Sequence, residues 1–266
     1  MSDAFPQRIV CLTEEPTEVL YAIGEADRIV GISGFTVRPA GARKEKPKVS
    51  AFTSARIDDI VRLEPDFVIS FSDIQADIAQ ALIKRGIEVW ISNHRSVASI
   101  LAYVRRLGAM VGASERSERY AAALEAHVSQ VRAAALRLPR RPRVHFEEWD
   151  EPHISAIRCV SELIDIAGGS DIFPERAASS LAQGRIVADP QEVVRSRPDI
   201  IIASWCGKKF RPESVAARSG WADIPAVRDG ELHEIKSPII LQPGPAALTD
   251  GLDALHAIIA RWASVS

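Results

Sequence analysis

Four carboxylates and an imidazole stand close together in the segment Glu147–His153, which follows an apolar run of strand type. Such side chains can hold a hard metal ion or exchange protons with a substrate. The same composition is also typical of an ordinary polar strand end, and we prefer that interpretation. Trp149 is the residue of this segment that we keep as a candidate, because an indole at a strand end makes a flat wall for ring stacking.

A second chemically suggestive segment, Trp205–Phe210, also follows an apolar run directly. Cys206 stands two residues before Lys208, and neighbouring cations can lower the pKa of a thiol and make it nucleophilic. No histidine stands at a spacing typical of a partner base, so we predict no catalytic residue. Trp205 is kept as an aromatic that lines a binding site, since loops at the carboxyl ends of parallel strands carry ligands.

The chain lacks the motifs of several common enzyme classes. It contains no GxGxxG, no Walker lysine loop and no GxSxG elbow. Its 33 basic and 35 acidic side chains give a net charge of −2, without the basic excess of a nucleic-acid binder. The three cysteines have no CxxC spacing, which argues against a disulfide framework or a zinc site. We therefore expect no metal site, no catalytic cofactor and no nucleic-acid partner.

Short apolar runs alternate along the chain with segments of helical pattern. This alternation predicts an α/β fold with mostly parallel sheets that are covered by helices. The predicted strands are Ile9–Leu12, Ile29–Ile32, Phe67–Phe71, Val89–Ile91, Arg143–Phe146 and Ile200–Ser204. The predicted helices span residues 17–24, 55–64, 76–85, 96–111, 159–167, 190–196 and 245–263.

One long helix is predicted for residues 114–138, which contain neither glycine nor proline and are rich in strong helix formers. Ser114 is a suitable N-cap, and Pro139 ends the helix. At 1.5 Å per residue the rod is about 38 Å long. We therefore divide the chain into an N-terminal α/β lobe at 1–113, a linker helix at 114–139 and a C-terminal α/β lobe at 140–266.

The two halves share an internal similarity. Residues 58–69 match residues 191–202, and in both segments a helical pattern ends before Pro-Asp and an apolar strand follows. The proline ends the helix because its φ is fixed and its N–H is missing. Since the two copies stand on either side of the long helix, they indicate two similar lobes, and clefts between lobes are where small ligands bind.

The order of these features resembles the periplasmic-binding-protein family of cobalamin and siderophore carriers, whose two lobes are joined by a long helix. The similarity runs over nearly the full length and looks closest to the cobalamin-binding members. The segments that carry it are 8–13, 16–18, 30–33, 57–68, 86–89, 167–169 and 172–173.

This resemblance implies a substrate-binding protein that holds a cobalamin-type corrinoid in the cleft between its lobes and catalyses no reaction. Aromatic walls of such carriers fall on Phe35, Phe52 and Phe71 in the first half and near Trp149 in the second. A corrin ring is wide and largely apolar with amide arms at its edge, so stacked aromatics suit it.

The resemblance also implies a partner, the permease of an ABC transporter. Its docking acids fall on Asp58, which is a carboxylate, and on Gln191, which is uncharged although Glu192 stands beside it. One docking charge is thus missing or shifted. We expect the protein to be a monomer.

Two other functions stay open at this point. A siderophore or haem carrier on the same scaffold would use basic, tyrosine or histidine groups, and His94, His145 and His153 are candidates. An enzyme would use Cys206 or the Glu147–His153 segment. The residues Met1–Pro6 lack the basic start and apolar stretch of a signal peptide, so we expect a cytoplasmic location for the chain as written, or a periplasmic one if a leader was removed.

Overall fold

A computed structural model describes residues 4–265 and divides them into two units. The N-terminal unit runs to His94 and includes Ala98–Glu125, and the C-terminal unit comprises Arg95–Val97 and the chain from Ala126 onward. Each unit has its own sheet flanked by helices. The expected fold class, an α/β chain of two lobes, is therefore confirmed. Residues 1–3, on which the signal-peptide argument partly rests, lie outside the described residues.

The N-terminal unit is built on a five-stranded sheet of order β3-β2-β1-β4-β5. Every pairing in it is parallel, so all carboxyl ends lie at one edge. The central strand β1 is fully buried, which explains its unbroken apolar sequence. The strands are β1 Ile9–Cys11, β2 Ile29–Ser33, β3 Lys48–Ser50, β4 Phe67–Phe71 and β5 Val89–Ser92.

The helices of the N-terminal unit connect these strands. α1 begins at Glu14, three residues before the predicted start, because Pro16 falls within the first helical turn, where no N–H partner is needed. Short 3₁₀ helices span Ala26–Arg28 and Asp73–Gln75. The α-helices are α1 Glu14–Ala22, α2 Ala42–Glu45, α3 Ile57–Arg62, α4 Ala76–Ile83 and α5 Val97–Met110.

The long helix α6, Ser114–Ala135, is a single unbroken element of 22 residues. It begins in the N-terminal unit and ends in the C-terminal unit. The prediction that one helix covers most of residues 114–138 is confirmed. The last three predicted residues form a tighter turn instead, in which the N–H groups of 137 and 138 bond to the carbonyls of 134 and 135.

The C-terminal unit is built on a sheet of order β10-β9-β6-β7, with β8 paired to β6 as well. β6 is parallel to β9 and β8, whereas β7 turns back antiparallel along β6. β7 is three residues long, too short to show a strand pattern in the sequence. The strands are β6 Arg143–Asp150, β7 His153–Ser155, β8 Ser170–Asp171, β9 Ile200–Ala203 and β10 Leu232–Glu234.

The helices of the C-terminal unit largely follow the predicted segments. The predicted helix 245–263 is divided into a π-helical turn, Ala247–Gly251, and a regular helix. Position 251 of this turn requires glycine, because a Cβ there would lie 2.3 Å from the Ile239 carbonyl oxygen. Short 3₁₀ helices span Arg176–Ala178 and Ala182–Arg185. The α-helices are α7 Arg158–Ala167, α8 Gln191–Ser196, α9 Pro212–Ala216, α10 Pro225–Arg228, α11 Ser237–Ile240 and α12 Leu252–Ser264. None of the helices in the described residues is long and apolar enough to cross a membrane.

The internal similarity corresponds to two equivalent turns. The residue before each proline adopts a left-handed conformation, with φ of 47° at Glu64 and 46° at Arg197. The aspartate that follows then bonds to the start of a neighbouring strand. Asp199 accepts a hydrogen bond from the Arg143 N–H at 2.8 Å, and Asp66 accepts bonds from the backbone N–H groups of residues 7 and 8 at 2.7 and 2.9 Å.

Candidate functional site

Three predicted aromatic residues lie at the carboxyl edge of the N-terminal sheet. Phe35 follows β2, Phe52 follows β3 and Phe71 ends β4. Phe35 is 49% exposed and Phe52 is half-buried, whereas Phe71 is buried and meets the His94 ring edge-on. Phe35 and Phe52 thus present ring surface at the sheet edge where α/β folds bind ligands.

A buried glutamine that the sequence did not point to fixes this edge. The Gln75 side chain accepts a hydrogen bond from the Phe71 N–H at 3.0 Å and donates one to the Phe52 carbonyl at 3.0 Å. It also bonds to the Ser70 hydroxyl at 2.9 Å and to the Leu12 carbonyl at 3.3 Å. One amide therefore connects the ends of β1 and β4 to the loop after β3, and sets the backbone position of two candidate aromatics.

Trp149 and Trp205 lie near each other at the carboxyl edge of the C-terminal sheet, because β6 and β9 are adjacent and parallel. Trp149 is half-buried, and its indole N–H donates to the Glu151 carbonyl at 2.7 Å. The Lys208 ammonium lies 5.9 Å from the centre of the Trp149 ring and 5.2 Å from that of Trp205, and it pairs with the Asp150 carboxylate. A cation and two indoles thus share this edge.

Trp205 itself belongs to the core of the C-terminal unit. Its side chain is 4% exposed, and its ring meets Phe210 edge-on with centroids 5.2 Å apart. Its indole N–H donates to the Glu147 carboxylate at 3.0 Å. The role of Trp205 as a ligand contact stays a prediction, and this geometry favours a structural role.

The Glu147–His153 segment forms a buried polar cluster through the turn from β6 into β7. The Nε2 atoms of His145 and His153 are 2.7 Å apart. Arg218 donates two hydrogen bonds to the Glu147 carboxylate, at 2.6 and 2.8 Å. Burial lowers the pKa of His145, and the charges of His153 and Arg218 lower it further. Burial also lowers the pKa of His153, although the Glu147 carboxylate opposes that shift.

The histidines named for a haem carrier have their rings packed inside the two units. His145 and His153 face each other. His94 is 5% exposed, stacks on Tyr103 with centroids 4.0 Å apart and places Nδ1 2.8 Å from the Ser92 hydroxyl. An axial haem ligand needs a ring nitrogen that reaches the iron. None of the three rings offers one without rearrangement.

A family model described as a periplasmic binding protein matches residues 9–239 of the chain. This span contains both sheets, the long helix and every candidate residue described above. The chain belongs to the periplasmic binding protein family. The resemblance noted in the sequence is thereby confirmed.

The proteins to which this chain is similar are named for different ligands. YvrC of Bacillus subtilis, an uncharacterized ABC transporter substrate-binding lipoprotein, is 22% identical over 94% of this chain and 79% of its own length. A vitamin B12-binding protein of Vibrio vulnificus is 22% identical over 97% of this chain and 91% of its own length. The structure of a periplasmic heme-binding protein from Pseudomonas aeruginosa has a TM-score of 0.83 at 21% identity and covers 98% of this chain and 95% of that one. The structural likeness shows the shared fold.

The two docking positions that the family resemblance implied lie on α3 and α8 and are exposed. Asp58 is 3.3 Å from the Arg85 guanidinium. The Gln191 amide donates to the Ser219 carbonyl at 3.2 Å, and the neighbouring Glu192 pairs with Arg176 at 2.6 Å. Glu192 therefore supplies a carboxylate on α8 whose charge is already countered. The docking roles stay predictions.

Proposed function

We propose that this periplasmic binding protein captures a cobalamin-type corrinoid for ABC-type transport or intracellular delivery, without catalysis. The observation that carries the proposal is the placement of the candidate aromatics. Phe35 and Phe52 present ring surface at the carboxyl edge of one sheet, and Trp149 does so at the carboxyl edge of the other. Flat apolar rings of this kind suit the wide face of a corrin.

The relatives support the corrinoid, and the histidines argue against haem. The vitamin B12-binding relative aligns with almost the whole chain. Haem iron in proteins is held by histidine, tyrosine, methionine or cysteine. The three histidines that we named for that role are packed within the units. Cobalamin needs no such ligand, because its cobalt already carries axial ligands of its own, so the molecule can be held by ring contact and amide hydrogen bonds.

Titration of the purified protein with cyanocobalamin, haemin and a ferric siderophore tests the proposal. We expect cyanocobalamin to bind with micromolar or tighter affinity, about −8 kcal/mol, measured by calorimetry and by its visible spectrum. Haemin is expected to show the same Soret band in the presence of the protein as in buffer alone. Binding of haemin or the siderophore without any heat or spectral change from cobalamin would reassign the protein to the haem and siderophore alternative.

The docking positions and the compartment belong to the same proposal. We infer that Asp58 contributes the docking charge of the N-terminal unit, and that Gln191 leaves the C-terminal unit dependent on Glu192. Fractionation of the native host shows whether the protein acts as a corrinoid binder inside or outside the cytoplasm. In the second case, Asp58→Arg should abolish uptake of labelled cobalamin while leaving its binding unchanged.

A further inference from the structure

A cluster of three buried potential metal ligands lies in the C-terminal unit. His145, Glu147 and His153 place one ligand atom each within 4.8 Å of the others. The Nε2 atoms of the two histidines are 2.7 Å apart. Glu147 Oε2 lies 3.9 Å from the Nε2 atom of His145 and 3.4 Å from the Nε2 atom of His153. These three atoms form a triangle whose centre is about 2 Å from each of them. A Zn–N or Zn–O bond has the same length.

The fold brings these donors together from a short stretch of chain. His145 and Glu147 stand two residues apart on β6 and so project from the same face. β7 then returns antiparallel and places His153 beside them. Tetrahedral zinc ligands lie about 3.3 Å apart, so a shift of the His145 ring by about half an ångström would complete a three-ligand shell.

The donor set has the chemistry of a zinc-class site. Two imidazoles and one carboxylate are the protein ligands of many zinc centres and leave a fourth position open. The side chains of His145 and Glu147 are fully buried, and that of His153 is 7% exposed. The Nδ1 atom of His145 has no hydrogen-bond partner among the described residues, so the hydrogen bond between the two Nε2 atoms is the contact of this ring that an ion would have to replace.

Arg218 is the main competitor for an ion at this point. It donates to both oxygens of Glu147, at 2.6 and 2.8 Å, and Trp205 donates to Oε1 at 3.0 Å. These contacts orient the carboxylate as partners of a metal-bound carboxylate do. However, the guanidinium charge also repels a cation and neutralises Glu147 without one. Its removal should therefore strengthen cation binding.

We propose that His145, Glu147 and His153 form a site for a zinc-class divalent ion, and that Arg218 limits its affinity. The proposal differs from the expectation, drawn from the sequence, that the chain has no metal site. It does not depend on the corrinoid proposal, because none of the three ligands is a candidate aromatic. Since His153 has the one partly exposed side chain of the three, the ion would enter along β7.

Zinc binding by chelator-treated protein tests the site directly. We expect calorimetry to give one zinc ion per chain with micromolar or tighter affinity. Cobalt(II), used in place of zinc, should produce a visible absorption band of a nitrogen- and oxygen-ligated ion that excess zinc removes. Both measurements use the unmodified chain, so neither depends on the folding of a variant.

Three variants identify the ligands and the competitor. His153→Gln should weaken zinc binding by about tenfold or more, because it removes one of three ligands. Arg218→Met should strengthen it by about tenfold, because it removes a positive charge that repels the ion. Adding zinc should also raise the melting temperature of Arg218→Met more than that of the unmodified chain. His233→Gln is the matched control, because it removes another histidine that faces a carboxylate, Glu231 at 2.7 Å, and should leave zinc binding unchanged.

Absence of zinc binding and of a cobalt band in the unmodified chain would overturn the proposal. Zinc binding that is lost in His233→Gln and kept in His153→Gln would assign the ion to the His233–Glu231 pair and overturn the proposal as well. An Arg218→Met variant that folds but binds zinc no more tightly would overturn the part of the proposal that makes Arg218 the competitor.

Discussion

At the scale of single residues, exposure separates the side chains that can meet a ligand from those that hold the fold. Phe52 is half-buried, whereas Phe67, at the start of β4, is 2% exposed. Both are phenylalanines of the N-terminal unit, so they allow the two roles to be compared directly. A ring that lines a binding surface contributes to affinity, and a ring in the core contributes to stability.

Phe52→Ala should weaken cobalamin binding by about 5- to 150-fold, equivalent to about 1–3 kcal/mol for a lost ring contact. Its melting temperature should change little. Phe67→Ala should instead cost about 3–5 kcal/mol of stability. Melting temperature and dissociation constant are measured on the same sample of each variant. A large fall in melting temperature with unchanged affinity in Phe52→Ala would show that Phe52 is a core residue.

Gln75 positions the backbone of Phe52 and Phe71 through hydrogen bonds and is buried itself. Its substitution therefore tests the effect of their position on ligand binding. Gln75→Glu keeps the shape of the side chain but replaces the amide donor that holds the Leu12 and Phe52 carbonyls. We expect a loss of about 1–3 kcal/mol in stability and weaker cobalamin binding. Gln80→Glu, the same change at an exposed position of α4, is the control. Unchanged affinity in folded Gln75→Glu would remove its positioning role.

Glu14 makes the stability of the chain depend on pH. Burial, and then the charge of Glu15, raise the pKa of Glu14 from 4.5 to about 8. Between these values the folded chain keeps a proton that the unfolded chain releases, so stability falls as pH rises from 4.5 to 8. Glu14→Gln removes the contribution of Glu14 to this dependence, while the buried Glu15, whose pKa is also raised by burial, keeps its own.

Glu14→Gln and the unmodified chain should be equally stable near pH 4.5, and the variant should be more stable by about 3–5 kcal/mol at pH 8, because each pKa unit is worth about 1.4 kcal/mol. Melting temperatures measured across this pH range check the difference. Glu115→Gln, at an exposed position of α6, should show no such trend. A constant difference between Glu14→Gln and the unmodified chain across this pH range would contradict the assignment.

At the scale of elements, the two Pro-Asp turns show what the internal similarity means. In each unit the aspartate after the proline ties the end of a helix to the start of a neighbouring strand. The matching residues are therefore explained by a structural role that recurs in both halves. These residues are therefore not candidates for ligand contact.

Asp199→Ala should cost about 1 kcal/mol and Asp66→Ala about 2 kcal/mol, because they lose one and two hydrogen bonds to backbone N–H groups respectively. Urea unfolding measures both. Asp59→Ala, a change on α3 that removes ion pairs with the exposed Arg56 and Arg62, should cost less than either. Equal effects of Asp66→Ala and Asp59→Ala would show that the turn bonds contribute little.

The sequence predicted the regular elements well and the polar contacts poorly, for a physical reason. Buried parallel strands such as β4 and the glycine-free stretch of α6 leave a strong local pattern. The meeting of His145 with His153, and of Glu147 with Arg218, depends on a three-residue strand and on a residue 71 positions away. Neither has a local pattern. Gln75 was missed likewise, since a buried glutamine looks in the sequence like any polar helix residue.

At the scale of the whole molecule, the fold is shared by proteins that are named for different ligands. The chain shares its family with a vitamin B12-binding relative and its fold with a heme-binding protein, at 22% and 21% identity. Fold alone therefore does not select between them. The exposed aromatics and the packed histidines are the features of this chain that favour the corrinoid.

The distribution of the three cysteines gives the chain a built-in place for a reporter dye. Cys11 and Cys159 are buried, and burial raises the pKa of each thiol to about 12, whereas Cys206 is exposed. A thiol reagent should therefore modify one cysteine in the native protein and three after denaturation. Because Cys206 follows Trp205 at the carboxyl edge of the C-terminal sheet, a fluorophore attached there would change its emission when a ligand arrives. Unknown compounds could then be screened without labelling any of them.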